Sequence, residues 1–326
     1  MTSANAIARN NVHLTGNPQA AGTLVFMHGL GTDQTIWRDV TPAFEADWRI
    51  VLLDNAGAGG ADPAAFSISR YLNLRPYAQD LLEVLEQLAL HDVVVVGHSS
   101  SAMVGALAAI AAPERIGRLV MIGANPRYLN DVGYEGGMSP KDVDQIYQAA
   151  TQNFPEWSAG FAAAAMGNPQ RPELARQFAQ SVRSVPLNQL LSVLCSTLQT
   201  DYRAELKRIP VPTLIMQSQH DLFVPMSVAE YLHAQIPNSR LRVIDATGHL
   251  PHVSAAPQVV AAINLPVIAA GGIATAAGVR AAKSLGAAAV QVGTAFMLAP
   301  EATTSGVHRD VLRRAQGHDT ALTRLF

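Results

Sequence analysis

The run Gly97-His98-Ser99-Ser100-Ser101 constrains what this chain can fold into more than any other stretch. Four valines, Val93 to Val96, precede it and read as a short buried strand. Ala102-Met103-Val104-Gly105-Ala106-Leu107-Ala108-Ala109 follows and reads as a helix. A strand, a tight turn and a helix with serine at the apex form the context of a nucleophile elbow. Such a turn holds the serine hydroxyl away from its own backbone. The small flanking residues let strand and helix approach closely. The fifth position is Ser101 where the strict G-x-S-x-G pattern has glycine, so the context carries the reading.

The surrounding pattern agrees with a buried parallel sheet. Thr23–Met27, Ile50–Leu53, Val93–Val96, Leu119–Ile122, Thr213–Gln217 and Leu241–Ile244 are strand candidates. Tyr77, Leu81, Leu85 and Leu88 recur at spacings of 4, 4 and 3, which is one buried face of a helix. Strands alternating with helices predict an α/β chain with a mainly parallel sheet covered on both faces. The alternation lapses between Asn125 and Arg208. Pro140, Pro155, Pro172 and Pro186 each stand near the start of a helical pattern, where a missing N–H costs least. Four helices are predicted there, at about 140–151, 155–166, 172–184 and 186–199. An all-helical insertion between two parallel strands reads as a cap over the strand C-termini. The expected division is a core of residues 1–124 and 209–263, a cap of residues 125–208, and a tail of residues 264–326.

The 326 residues are 49% apolar and 15% charged, enough for a large core. A net charge of -2 and no basic run argue against nucleic-acid binding. Cys195 is the single cysteine, so no intrachain disulfide forms and a cytoplasmic setting is expected. Met1 to Asn11 is polar and lacks the apolar centre of a signal peptide. Val253 to Val279 carries no charge, but Pro257, Asn264, Pro266 and Gly271-Gly272 interrupt it. It reads as a soluble strand with helix pieces, and no membrane partner is expected.

A serine hydroxyl is a poor nucleophile until a base accepts its proton and a third group orients that base. With a strand-borne elbow, those partners follow in the order acid, then histidine. Asp221 follows the strand Thr213–Gln217, and His249 follows the strand Leu241–Ile244 after Gly248. Both stand at strand C-terminal ends, the edge where Ser99 lies, so Ser99, Asp221 and His249 are the catalytic candidates. The plain alternatives are a turn serine, a turn-capping aspartate before Pro225 and a loop histidine. His252 is the rival base. His249 and His252 lack the third ligand of a zinc motif, so no metal is called for. An oxyanion hole needs two backbone N–H donors. Ser100, after the nucleophile, is one. Leu30, in the glycine-flanked loop His28-Gly29-Leu30-Gly31, is the other. Gly57-Ala58-Gly59-Gly60 lacks the third glycine of a dinucleotide fingerprint, where Asp62 stands, and is read as loop geometry.

Residues 10 to about 263 resemble an α/β-hydrolase of the RsbQ type, the bacterial sigma-B stress regulator group that also includes the plant karrikin and strigolactone receptor hydrolases. The motifs that carry this run from His28 to Gln34, Leu53 to Gly59, Gly97 to Met103, Pro126 to Asp131, Trp157 to Ala162, Gln217 to Tyr231 and Gly248 to His252. The resemblance implies an α/β-hydrolase fold with a four-helix V-shaped lid over an apolar pocket. Leu30, Trp157, Phe161, Leu190, Leu191, Leu194 and Phe223 are then the pocket candidates. It implies a serine hydrolase for a small apolar ester or lactone, working without a cofactor. The alternative is a ligand sensor with slow hydrolysis and a signalling protein partner.

The tail reads as two βα units. Leu265 to Ile273 is strand then glycine turn, Ala276–Leu285 is helix, Ala288–Val292 is strand, and Val307–Gln316 is helix. Pro266 to Ala274, Gly286 to Phe296 and Asp319 to Arg324 resemble the C-terminal part of a nitronate monooxygenase, an FMN-dependent barrel. In that family two glycine turns help hold the flavin phosphate, which makes Gly271, Gly272, Gly293 and Thr294 the corresponding candidates here. About a quarter of a barrel is represented, without the strands that supply the flavin-ring contacts. The tail is therefore expected to be a fused fragment rather than an independent flavin enzyme.

Overall fold

A computed structural model describes residues 5–263 and two further strands, Ile268–Ala270 and Ala289–Gln291. Seven strands form the main sheet: β1 (His13–Gly16), β2 (Thr23–Met27), β3 (Arg49–Leu53), β4 (Val93–His98), β5 (Ile116–Ile122), β6 (Thr213–His220) and β7 (Ser239–Thr247). Their order is β1-β3-β2-β4-β5-β6-β7. Only β1 runs antiparallel, pairing with β3. The remaining pairs are parallel, so the alternation of apolar runs and helical patterns is realised as an α/β sheet.

The order reverses at β2. The chain leaves β2 for β3 on one side and returns to β4 on the other, with Met27 beside Gly97. Ligand sites in such sheets lie at the strand C-termini where the direction of winding switches. That crevice holds the loop after Met27 and the elbow after Gly97. Adjacent residues of the central strands face opposite sides. Val25 and Met27 pack with helices α2 (Arg75–Gln87) and α3 (Ser100–Ala111), while Leu24 and Phe26 pack with Trp37, Phe44 and Val259. Tyr77, Leu81 and Leu85 of α2 are buried as their spacing predicts; Leu88 follows as its C-cap.

The insertion after β5 is four helices: α4 (Pro140–Gln152), α5 (Phe154–Met166), α6 (Pro172–Ser184) and α7 (Leu187–Leu198). Proline opens α4 and α6, stands second in α5 and caps α7. Ser139 and Asp142 add a reciprocal capping box to α4. Around the core lie α1 (Ala6–Arg9), α8 (Met226–Gln235), α9 (Pro251–Ser254) and α10 (Ala256–Ile263). Among the described residues no helix is long and apolar enough to cross a membrane.

The chain divides into two units, Met1–Ile263 and Asn264–Phe326. In the second, β8 (Ile268–Ala270) and β9 (Ala289–Gln291) pair in parallel. The two expected helices of the tail lie outside the described residues, as do Gly271, Gly272, Gly293 and Thr294.

Candidate active site

Ser99 has φ 56° and ψ -123°, outside the regions a non-glycine residue normally adopts. Such a conformation costs about 1–3 kcal/mol and persists only where the surroundings hold it. Here the Ser99 N–H donates to the Ile122 carbonyl at 2.8 Å, and the Ala102 N–H donates to the Ser99 carbonyl at 3.0 Å. Gly97 makes the turn possible: a Cβ there would lie 2.5 Å from the Ser101 carbonyl oxygen and 2.7 Å from the Ala102 nitrogen.

The hydroxyl of Ser99 lies 2.9 Å from Nε2 of His249, and Nδ1 of His249 lies 2.8 Å from Oδ2 of Asp221. The carboxylate accepts, so Nδ1 carries the proton and Nε2 is left to accept from Ser99. Asp221 and His249 are both buried. Burial alone would push the Asp221 carboxyl up, but His249 and the amides of Phe223 and Val224 outweigh it and hold it below its ordinary value. Those amides donate to Oδ1 at 2.8 and 3.1 Å, while Gln217 Nε2 donates to Oδ2 at 3.1 Å. Asp221 is therefore a turn cap and the partner of His249 at once, one oxygen for each task.

His252 stands elsewhere. It is fully buried, with its ring 4.5 Å from that of Trp37 and 4.4 Å from that of His98. Burial pushes its imidazole down to about 3, so it is a neutral core ring. His98 lies between it and His249, and His98 Nε2–H donates to the His249 carbonyl at 2.9 Å. His98 thus holds the loop that carries His249.

The loop after β2 is held as firmly. The Asn55 backbone N–H donates to His28 Nε2 at 2.9 Å, so His28 carries its proton on Nδ1 and donates it to the Gly29 carbonyl at 2.9 Å. Thr32 Oγ1 donates to the same carbonyl at 2.9 Å. A trans peptide directs its C=O and N–H oppositely, so pinning the Gly29 carbonyl fixes the direction of the Leu30 N–H. Ser101 joins this arrangement. Its hydroxyl, fully buried, donates to the His28 carbonyl at 2.5 Å and accepts from Asn55 Nδ2 at 3.0 Å. The serine at the fifth motif position therefore ties the elbow to the loops after β2 and β3.

A cavity opens on Ser99 and His249. Leu30, Phe161, Leu194 and Phe223 line it, with Tyr128 and Phe178. Leu30, Ser100 and Leu190 border a neighbouring cavity that also reaches Asn55 and Ser101. Trp157 and Leu191 line neither. Trp157 instead stacks on Phe161 and Phe154 with ring centroids 5.0 and 6.0 Å away, which makes it part of the packing behind the wall. Leu191 packs against the core, half-buried. Sequence reasoning did not single out Tyr128 or Thr197. Tyr128 lies within a motif that carries the resemblance, and Thr197 lies inside an apolar helix pattern, where nothing marks the direction of one hydroxyl. The Tyr128 phenol is raised to about 12, chiefly by burial, and it interacts with Ser99. Among the described residues, no cluster of three or more His, Cys, Asp or Glu side chains is arranged to hold a metal.

Residues 22–256 match the alpha/beta hydrolase fold family model, and residues 245–326 match the nitronate monooxygenase model. The chain is 39% identical over 246 residues to a probable esterase, D14L, of Oryza sativa subsp. japonica, a span of 75% of this chain and 90% of the relative. It is 38% identical over 257 residues to the Karrikin insensitive 2 receptor CA of Petunia hybrida, a span of 78% of this chain and 94% of the relative. Among solved structures, a hydrolase from Oleispira antarctica superposes with a TM-score of 0.77 at 31% identity, covering 79% of this chain and 94% of that one.

Proposed function

The chain belongs to the alpha/beta hydrolase fold family, and from that premise we propose that this hydrolase cleaves a small, largely apolar carboxylic ester or lactone through Ser99, His249 and Asp221. The observation that carries the reading is His249, hydrogen-bonded to Ser99 at 2.9 Å and to Asp221 at 2.8 Å. Ser99 Oγ attacks the carbonyl carbon as His249 Nε2 takes its proton. The carbonyl oxygen becomes an oxyanion and accepts from the N–H groups of Leu30 and Ser100. Asp221 balances the imidazolium. The intermediate collapses, the C–O bond to the alcohol breaks, and His249 gives its proton to the leaving oxygen. Water then gives a proton to His249 and adds to the acyl carbon. Collapse releases the acid, and the proton returns to Ser99.

In this reading residues 1–124 and 209–263 are the core, and residues 125–208 are a lid whose apolar side chains shape the substrate space. A cytoplasmic setting suits a chain whose one cysteine, Cys195, leaves no disulfide to form. The test is hydrolysis of p-nitrophenyl acetate and butyrate by the protein and by Ser99→Ala. The variant is expected to lose at least about 1,000-fold in kcat while keeping its melting temperature. Undiminished turnover overturns the proposal.

A second reading is favoured by the likeness to a karrikin receptor: ligand sensing, with slow hydrolysis and a protein partner. Its mark is a ligand that raises the melting temperature of Ser99→Ala while wild-type turnover stays far below about 1 per second.

A further inference from the structure

Thr197 stands on α7 among residues that satisfy their hydroxyls from their own helix. Ser196 Oγ donates to the Val193 carbonyl at 2.9 Å, and Thr200 Oγ1 donates to the Ser196 carbonyl at 2.9 Å. Such back-bonding is the ordinary resort of a hydroxyl inside a helix. Thr197 does not use it. Its Oγ1 is buried with no hydrogen-bond partner among the described residues, although the whole residue is only 8% exposed. A buried hydroxyl left unpaired costs stability, so its partner is to be sought in what the structure does not itself contain.

Thr197 lines the cavity that Ser99 and His249 share. The other side chains that α4 to α7 contribute to that wall are apolar, among them Ile146, Phe161, Phe178 and Leu194. At the sheet end, Nδ1 of His98 is buried without a partner among the described residues, while the other polar groups lining the cavity are engaged. Ser99, His249 and Asp221 bond one another, His98 donates to the His249 carbonyl, and Tyr128 interacts with Ser99. Among the described lining residues of the four inserted helices, Thr197 therefore supplies the one polar side chain in the cavity that holds Ser99, and it is unspent.

We infer that Thr197 is a specificity residue: its hydroxyl hydrogen-bonds a second oxygen of the substrate, one that is not part of the reacting carboxyl group. The inference rests on the esterase reading above and narrows its substrate class. The cavity selects an ester or lactone bearing an ether, hydroxyl or carbonyl oxygen over the all-carbon molecule of the same shape. A site that offers a buried hydroxyl discriminates against an analogue that leaves the hydroxyl unpaired.

Two isosteric pairs test this, one on each side of the ester. p-Nitrophenyl methoxyacetate and p-nitrophenyl butyrate differ by an oxygen for a methylene in the acyl group. 2-Methoxyethyl acetate and butyl acetate differ likewise in the alcohol, with acid release followed by pH-stat. The quantity read is the ratio of kcat/KM for oxygen over methylene, compared between wild type, Thr197→Val and Thr197→Ser. Intrinsic reactivity cancels in that comparison. Thr197→Val is expected to lower the ratio about 10-fold in at least one pair, by raising KM for the oxygen-bearing substrate, and Thr197→Ser to keep it. Thr197→Val removes an unpaired hydroxyl, so its melting temperature is expected to hold or rise. An unchanged ratio in both pairs, with butyrate turnover still dependent on Ser99, overturns this inference alone. Butyrate turnover that survives Ser99→Ala overturns the esterase reading and this inference with it.

Discussion

At Asp221, one oxygen accepts from the Phe223 and Val224 amides while the other faces His249. Asp221→Asn separates the two tasks. The amide oxygen keeps the turn, and the amide NH2 then confronts His249 Nδ1. That nitrogen must accept, the imidazole proton moves to Nε2, and Nε2 no longer takes the Ser99 proton. A fall in kcat of about 10,000-fold with far-UV circular dichroism retained is expected; a fall of less than tenfold rejects the assigned tautomer. Ser101 poses a finer question. Ser101→Ala deletes the donor to the His28 carbonyl and the acceptor of Asn55 Nδ2. The expected cost is about 1–3 kcal/mol of stability, with a tenfold loss of kcat and little change in KM as the Leu30 loop loosens. A matching loss in KM would point to the substrate cavity instead. Ser99, Asp221 and His249 were readable because each stands beside a strand end and their chain order is diagnostic. Asn55, Ser101 and Thr197 were not, because their roles depend on which way a short polar side chain turns once three loops or a helix and a cavity meet.

The loop bearing His249 is docked on a helix end. The His249 N–H donates to the Ala165 carbonyl at 2.6 Å, so His249 is seated on the last turn of α5. Gly248 allows this: its φ is +99°, and a Cβ would lie 2.1 Å from the Met166 carbonyl oxygen. Gly248→Ala adds backbone strain and a clash with backbone that cannot rotate away. A loss of about 2–4 kcal/mol and of about 100-fold in kcat is expected from urea unfolding and ester hydrolysis. Gly160 sits in the exposed middle of the same helix, where a Cβ would meet nothing within 4 Å. Gly160→Ala is expected to raise stability by about 0.5–1 kcal/mol through helix propensity alone, with unchanged activity. The pair separates what a glycine does for docking from what it costs a helix. The inserted helices were readable because prolines punctuate their starts. β1 was missed because His13-Leu14-Thr15-Gly16 is a four-residue edge strand whose side chains are exposed or half-buried, with no alternation to mark it. β7 extends at both ends beyond its apolar centre because Ser239, Arg240 and Thr247 pair with β6 through the backbone, which apolarity does not mark.

Among the described residues, His28, His98 and His252 are neutral histidines built into the interior. Burial lowers all three from the ordinary 6.5, and His252 falls to about 3. His98 is depressed further by its neighbours His252 and His249, whereas Asp54, 3.9 Å from His28, opposes the shift there. The unfolded chain binds protons at these sites near pH 6.5, while the folded chain holds them off. The folded state therefore binds fewer protons, and stability falls as pH drops below 6.5. Each such site adds about 1.4 kcal/mol per pH unit until its folded pKa is reached, so His252 alone removes about 2 kcal/mol by pH 5. Asp221, held below the ordinary carboxylate range, loses its contribution only as pH falls through that range, whereas burial pushes the Asp80 carboxyl up. Urea midpoints at pH 7, 6 and 5 are expected to drop, more steeply below pH 6.5 than above it. Neither nitrogen of His252 has a partner among the described residues, and its ring lies between Trp37 and His98. His252→Leu thus removes one titrating site without stranding a hydrogen bond, and its slope is expected to fall by one proton. Equal slopes in the two proteins would mean that His252 takes up its proton in the folded state, with the core opening around it.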